Sequence, residues 1–280
     1  MTDAARVPDL DPADLRSVLD RSRASLAQIP LTQGPLVFVT VSGAHLYGFP
    51  SQDSDIDLRG VHVLPIADLV GVRRDRGRET TVRMWRRDGV EMDLVTHDAA
   101  KFAGLLLRPN GYVLEQLVSP LVVHTTPFHE QLKALVPGLL TAAHADHYRG
   151  FAETQRRLFG KTGELKSLLY VFRTLLTGIH LMRGGEVQAD LSVLAELEDG
   201  PGYLRDLIAA KAAAEHSRLA AIPGAPAQDT VTADVAALFG RLDEMRRRTG
   251  LPDAPSARAE VEDLVIRARI ALGDASAFVD

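Results

Sequence analysis

The sequence predicts an α+β fold, a small mixed β-sheet with helices in its first half followed by a helical second half. Three observations carry this. Short β-branched and aromatic runs bounded by turn residues are confined to the region before residue 125. Asp88-Gly89 lies between two of those runs and has the composition of a tight hairpin turn. From Pro127 onward, apolar residues recur at helical spacing and no strand pattern remains. The composition shift near residue 125 marks an expected boundary between a first domain, 1–125, and a helical domain, 126–280.

Asp11 is placed to cap a first helix and Pro12 suits its first turn, with an end near Gln28, before Pro30. The run 36–41 is continuously apolar apart from Thr40 and reads as a buried strand. A loop rich in Gly, Ser, Pro and Asp follows over 48–54, and 56–63 then alternates as a half-buried strand. Residues 80–86 and 90–96 are two more strands. Asp98 caps a helix with Phe102, Leu105 and Leu106 at helical spacing. Pro109-Asn110-Gly111 breaks it, 112–118 forms another short helix, and 121–123 is a candidate last strand. Helices are expected over 144–160, 164–183, 204–220, 233–249 and 256–272, with the loop 222–226 between two of them.

The 280 residues are 46% hydrophobic and 25% charged, which allows a sizeable core. The absence of cysteine excludes disulfides and thiolate metal sites. The start, Met-Thr-Asp-Ala-Ala-Arg, has no signal-peptide character, and no apolar run is long enough to span a membrane, so a cytoplasmic protein is expected. A net charge of -5 argues against a generally basic nucleic-acid coat. Yet Arg73, Arg74, Arg76, Arg78, Arg83, Arg86 and Arg87 face only Asp75 and Glu79. That run is either a patch for a polyanion or a solvated loop and strand edge.

The chemistry concentrates in 41–60. Asp55 and Asp57 are two apart at the start of a strand, so both carboxylates point to one face. Two like charges that close call for a cation between them, and an all-oxygen set favours Mg²⁺ or Mn²⁺ over zinc. A third carboxylate completes a site for two ions, which clamp the attacking and leaving oxygens of a phosphoryl displacement. Asp93 is preferred for it. Glu91 is on the same face but close to the hairpin turn, whereas Asp93 sits deeper between Met92 and Leu94. Upstream, Ser42-Gly43-Ala44 ends a strand and opens a short helix at His45-Leu46-Tyr47, where small residues let backbone N–H groups approach a phosphate.

The order strand, Gly-small, loop, Asp-x-Asp on a strand, then a later acid resembles the DNA polymerase β-type nucleotidyltransferase superfamily. The fuller string from Gly43-Ala44-His45 to Asp55-Ile56-Asp57-Leu58-Arg59-Gly60 is similar to its predicted bacterial and phage branch, which includes the RNA-ligase-associated polymerases. The likeness continues in Lys101-Phe102, Asn110, Glu115-Gln116-Leu117 and the segment 166–173, and spans about 36–185. It implies a polymerase β-like palm whose helical C-terminal part forms the other wall of a nucleotide cleft. It implies that Asp55 and Asp57 bind metal, that Asp93 orients or deprotonates the attacking hydroxyl, and that Gly43 and its neighbours cradle a triphosphate. Ala44 stands where the superfamily usually has serine, which removes one hydroxyl from that cradle.

Lys166, Tyr170 and Arg173 share one helical face, readable as a phosphate-and-base contact surface or as a solvated face. His45 either contacts phosphate or caps its turn. His144 and His147 lack further zinc ligands nearby and read as surface histidines. Gly160-Lys161-Thr162 lacks the earlier glycine of a P-loop, with Gln155 in its place. Trp85 is a lone aromatic among arginines, able to stack on a base. The expected activity is transfer of a nucleoside monophosphate from an NTP to a hydroxyl, with an RNA 3′ end favoured and pyrophosphate released. The alternatives are a catalytically weak nucleotide- or RNA-binding module and a protein-modifying nucleotidyltransferase.

Overall fold

The computed structural model describes residues 12–28, 34–70, 76–213 and 217–273. Asp11, the expected cap of the first helix, lies outside them. Five strands, β1 (Leu36–Val41), β2 (Ile56–His62), β3 (Thr80–Arg87), β4 (Val90–Asp98) and β5 (Val122–His124), form one sheet in the order β3-β4-β2-β1-β5. The pairing of β2 with β4 is parallel and the others are antiparallel, so the sheet is mixed as expected. Asp88 and Gly89 both take positive φ, 50° and 80°, in the tight turn that closes the β3–β4 hairpin.

The helices in chain order are α1 (Pro12–Leu26), α2 (Gly43–Tyr47), α3 (Ile66–Val70), α4 (Ala99–Leu106), α5 (Gly111–Val118) and α6 (Pro127–Ala134). They continue with α7 (His144–Thr162), α8 (Leu165–Gly184), α9 (Leu191–Leu197), α10 (Leu204–Ala213), α11 (Gln228–Arg248) and α12 (Arg258–Gly273). The chain divides into two compact units. A sheet unit comprises Ser17–Gly43, Asp55–Thr141 and Pro252–Asp280; a helical unit comprises Met1–Arg16, Ala44–Ser54 and Ala142–Leu251.

In the sheet unit the two faces are built differently. One face buries Ile56, Leu58, Met92 and Leu94, and Ser25 of α1 meets the Met92 sulfur there at 3.3 Å. The other face carries Phe38, Thr40 and Val61 toward β1 and is covered at that end by α4, α5 and α6. Phe38 packs edge-on against Phe102 at 5.4 Å and flat against His129 at 4.3 Å. Thr40 Oγ1 donates to the Gln116 carbonyl at 2.8 Å. Asp98 caps α4 as expected, accepting from Ala100 N at 3.0 Å, and its buried carboxylate also takes Leu64 N and Arg269 of α12.

The division expected at residue 125 differs from these units. Past β5, α6 packs on β1 and α12 returns to pack on α4 and α6, because their apolar faces (Phe128 and Leu132, Val261 and Leu264) need partners. Segment 44–54, in turn, belongs with the helices.

In the helical unit α8 is the axis, buried along nearly its whole length, with α7, α9, α10 and α11 around it. The Glu198 carboxylate is fully buried and meets His180 Nδ1 at 2.9 Å, Arg183 at 2.6 Å and Arg241 at 3.1 Å. Short α3, α6 and α9 were not anticipated, α10 is described as far as Ala213 and 217–220 are not α-helical, and α11 begins at Gln228 rather than 233. Elements of one or two turns show too few periods to stand out in sequence. No helix among the described residues is long and apolar enough to cross a membrane.

Candidate active site

In the sheet unit, parallel pairing sets Asp57 of β2 directly beside Asp93 of β4. Residues in register on neighbouring strands share a face, so two acids far apart in sequence stand in one row. Glu91, the rival, instead lies 3.8 Å from Arg86. Asp55 immediately precedes β2 and is exposed.

Arg59 lies between the two acids. Its Nη2 donates to Asp57 Oδ1 at 2.7 Å and to Asp93 Oδ2 at 3.1 Å. Its Nη1 donates to the carbonyls of Leu58 at 2.8 Å and Asp93 at 3.0 Å, and its Nε to the Tyr112 hydroxyl at 2.9 Å. Burial pushes the Asp57 carboxyl above the usual range; Arg59 works against that shift, whereas Asp93 and Asp55 reinforce it. Asp93 Oδ1 is buried and has no hydrogen-bond partner.

Gly43 is needed here for a reason other than phosphate approach. Its φ is +63°, and a Cβ at that position would lie 1.9 Å from Asp57 Oδ2. Ser42 N donates to the Asp57 carbonyl at 2.8 Å, while Ser42 Oγ is buried without a partner. The backbone at 42–43, expected to cradle a triphosphate, therefore lies against Asp57.

The fit to a divalent cation is specific in one respect and open in another. Among the described residues no three His, Asp or Glu side chains gather closely enough to cage an ion. Arg59 instead supplies the positive charge between Asp57 and Asp93. The orphaned Asp93 oxygen, beside a carboxylate whose charge burial disfavours, is what a cation would satisfy, and an oxygen-only set suits Mg²⁺ or Mn²⁺.

The remaining expected residues lie in the helical unit. Ala44 is buried, and His45 is half-buried with Nε2 unpartnered; burial lowers its pKa although a backbone hydrogen bond at Ser54 opposes this. Lys166 of α8 is exposed, but Arg173 is only 3% exposed. The Arg173 guanidinium lies 3.9 Å over the Tyr47 ring, and Tyr170 meets Tyr47 and Phe49 edge-on at 5.6 and 5.3 Å. The expected open face on α8 is thus largely covered by the protein's own segment 44–54. Gly48 belongs to the same packing, since a Cβ there would lie 2.1 Å from Asp190 Oδ1.

Other expectations are corrected. His144 is buried and His147 half-buried, the latter with its pKa lowered to about 4 by burial and by the charges of His144 and Arg173; neither is a surface histidine. Trp85 stands across from Met92, on the face opposite Asp93, which excludes it from stacking beside the acids. Of the arginine run, Arg78 pairs with Asp68, Arg87 with Asp88, and Arg86 alone of these shares the acids' face. Arg73, Arg74 and the side chain of Arg76 lie outside the described residues. Gly160-Lys161-Thr162 is the helical end of α7, as its rejection as a P-loop requires.

Sequence reasoning assigned no role to Arg59 or Tyr112. Arg59 had a signal, being two residues beyond Asp57 on the same strand face; Tyr112 had none. Lys211 was also missed: it is fully buried and donates to Ser51 Oγ at 3.3 Å, where Ser51 and Ser54 also bond each other at 3.0 Å.

The chain is similar to known proteins as follows. The family described as "RNA repair pathway DNA polymerase beta family" matches residues 18–267. A curated relative, Uncharacterized protein MJ0002 of Methanocaldococcus jannaschii, is 26% identical over 246 residues, which is 85% of this chain and 96% of that protein. A solved nucleotidyltransferase-like protein from Exiguobacterium sibiricum is 15% identical with a TM-score of 0.30, over 93% of this chain and 78% of that one.

Proposed function

The chain belongs to the RNA repair pathway DNA polymerase β family, and from that premise we propose that it transfers a nucleoside monophosphate from an NTP to a hydroxyl, with an RNA 3′ end as the acceptor. The observation that carries the reading is the register pair Asp57–Asp93, joined through Arg59 and retaining one unpartnered carboxylate oxygen.

In the reaction the acceptor oxygen bonds to the α-phosphorus while the bond from that phosphorus to the α,β-bridging oxygen breaks. Pyrophosphate leaves with the electron pair, and the hydroxyl proton passes to Asp93. Two Mg²⁺ or Mn²⁺ ions would draw on Asp57, Asp93 and the exposed Asp55, whose side chains do not cage an ion as they stand and would have to close on it, and the ions' charge would neutralise the phosphate oxygens. Arg59 holds Asp57 and Asp93 apart and in line, and Tyr112 fixes Arg59. In the sheet unit the Gly43 backbone N–H is the donor offered to the triphosphate, in place of the hydroxyl that Ala44 lacks.

A second reading, nucleotide binding without efficient transfer, is favoured by one observation: Arg59 already neutralises the acids that an ion would need. Incubating the protein with each α-labelled NTP, Mn²⁺ or Mg²⁺ and 3′-hydroxyl RNA decides between them. Label in RNA with the parent and none with Asp57→Asn is the expected result. Tight NTP binding with no label in any acceptor would establish the second reading, and label on the protein itself would establish self- or protein modification.

A further inference from the structure

The face that carries Asp57 and Asp93 continues beyond them onto the edge strand. Met84 of β3 is paired with Asp93 and Val82 with Val95, so both side chains lie on the acids' face. They are 65% and 57% exposed, whereas Val95 and Asp93 beside them are half-buried. Exposed apolar side chains on an edge strand invite association, so their position in the row of the acids calls for an occupant.

The flanks of this row define that occupant's chemistry. Arg86 lies on the same face beyond Met84, highly exposed, and at the other end Lys101 of α4 donates to Thr80 Oγ1. An apolar shelf between two cations matches a flat ring linked to phosphates. It does not match a second copy of the chain. β3 holds Arg83, Arg86 and Arg87 and no acid, so pairing two such edges would set arginine against arginine.

We propose that Val82 and Met84 form the shelf on which the terminal nucleobase of the acceptor strand rests, with its 3′ hydroxyl toward Asp93 and the phosphate on its 5′ side against one of the flanking cations, Arg86 or Lys101. This rests on the nucleotidyl-transfer reading and adds to it the residues that select the acceptor. Neither side chain offers a hydrogen-bond donor or acceptor of consequence, so the shelf accepts any base rather than one.

The test uses the intact chain and fluorescence anisotropy with a labelled 3′-hydroxyl oligoribonucleotide, comparing the parent with the double variant Val82→Thr/Met84→Thr. Threonine keeps β-branched strand propensity, and circular dichroism checks the fold. Binding to the variant should be weaker by about threefold or more, less than the roughly tenfold that a base stacked on an aromatic ring would give. NTP binding, read by equilibrium dialysis, should be unchanged. An oligoribonucleotide lacking only its terminal base should bind the parent about as weakly as the complete one binds the variant.

Equal oligonucleotide binding by variant and parent overturns the shelf and leaves the transfer reading standing. A parent that binds NTP but no oligoribonucleotide overturns the RNA acceptor and the shelf together. A variant that changes sedimentation from dimer to monomer with unaltered RNA affinity identifies the face as a contact between copies and also overturns the proposal.

Discussion

Asp57, Arg59 and Asp93 in the sheet unit and Lys166, Tyr170 and Arg173 in the helical unit are both polar sets repeating at the period of their element. Their surroundings part them. The strand set gains a second strand, bringing Asp93 into register, and keeps a buried oxygen without a partner. The helix set is met by segment 44–54, whose Tyr47 and Phe49 enclose Tyr170 and Arg173. Periodicity places side chains on a face; whether that face remains available depends on what the chain brings back to it. On this comparison Arg173 is suited to holding the helical unit together, while the acids keep the open oxygen on which the proposed chemistry rests.

The sharpest way to break the comparison is to substitute one member of each set. Asp57→Asn should lower kcat by about 10²–10³-fold, as loss of a principal electrostatic group does, with melting little changed. Arg173→Ala should do the reverse, destabilising by about 2 kcal/mol or more through the lost desolvated cation–π contact and stem packing. Urea unfolding and single-turnover kinetics on both variants read this directly. A stable Arg173→Ala protein with normal fold and lost nucleotide binding would restore the ligand role expected from its helical spacing.

The two close-approach glycines sharpen the same contrast. Gly43→Ala and Gly48→Ala each force a side chain into positive φ and into a carboxylate, at 1.9 Å from Asp57 and 2.1 Å from Asp190. Both should cost on the order of 1–3 kcal/mol. Only Gly43→Ala should also reduce turnover beyond what its stability loss explains, when both are assayed well below their melting temperatures.

A smaller effect isolates Arg59. Its charge opposes the upward shift that burial imposes on Asp57. Removing it in Arg59→Gln raises the Asp57 pKa further, so the acid limb of the kcat/KM profile should move to higher pH. Arg59→Lys, which keeps the charge but not the fork, should move it less. An unmoved limb would mean that another group sets it.

The smallest effect compares the units through one histidine in each. His97 and His147 both have pKa values lowered to about 4, chiefly by burial, against about 6.5 in an unfolded chain. Between those values the unfolded state binds protons that the folded state refuses. Stability present above pH 6.5 is therefore lost progressively as pH falls toward 4. Melting curves from pH 7 to 5 should show a decline, and His97→Asn and His147→Asn should each flatten it by one proton's share.

Much of this was legible in advance. The strands at β1 to β4, the Asp88-Gly89 turn, the Asp98 cap and the long helices α7, α8, α11 and α12 follow from local period and turn chemistry. That Asp93 points away from the buried Met92 and Leu94 was also readable, from the alternation along the strand. What escaped needed long-range contact. Nothing local says that Tyr112 reaches Arg59, that Lys211 is buried beneath Ser51, or that Tyr47 covers Arg173. The compact units divide elsewhere than near 125 because composition changes where strands stop, whereas the sheet's covering helices α6 and α12 come later and are themselves helical.

The two-residue turn at Asp88-Gly89 fixes which side chains of β3 stand beside the acids, since it sets β3 against β4 without touching β2. One inserted residue there would slip β3 by a single position and invert its faces. Trp85 or Arg83 would then occupy the place of Met84, while the Asp57–Asp93 row stayed intact. On the shelf proposal, a change in the length of this hairpin would exchange an indifferent apolar ledge for an aromatic or cationic one and leave the same carboxylates in place.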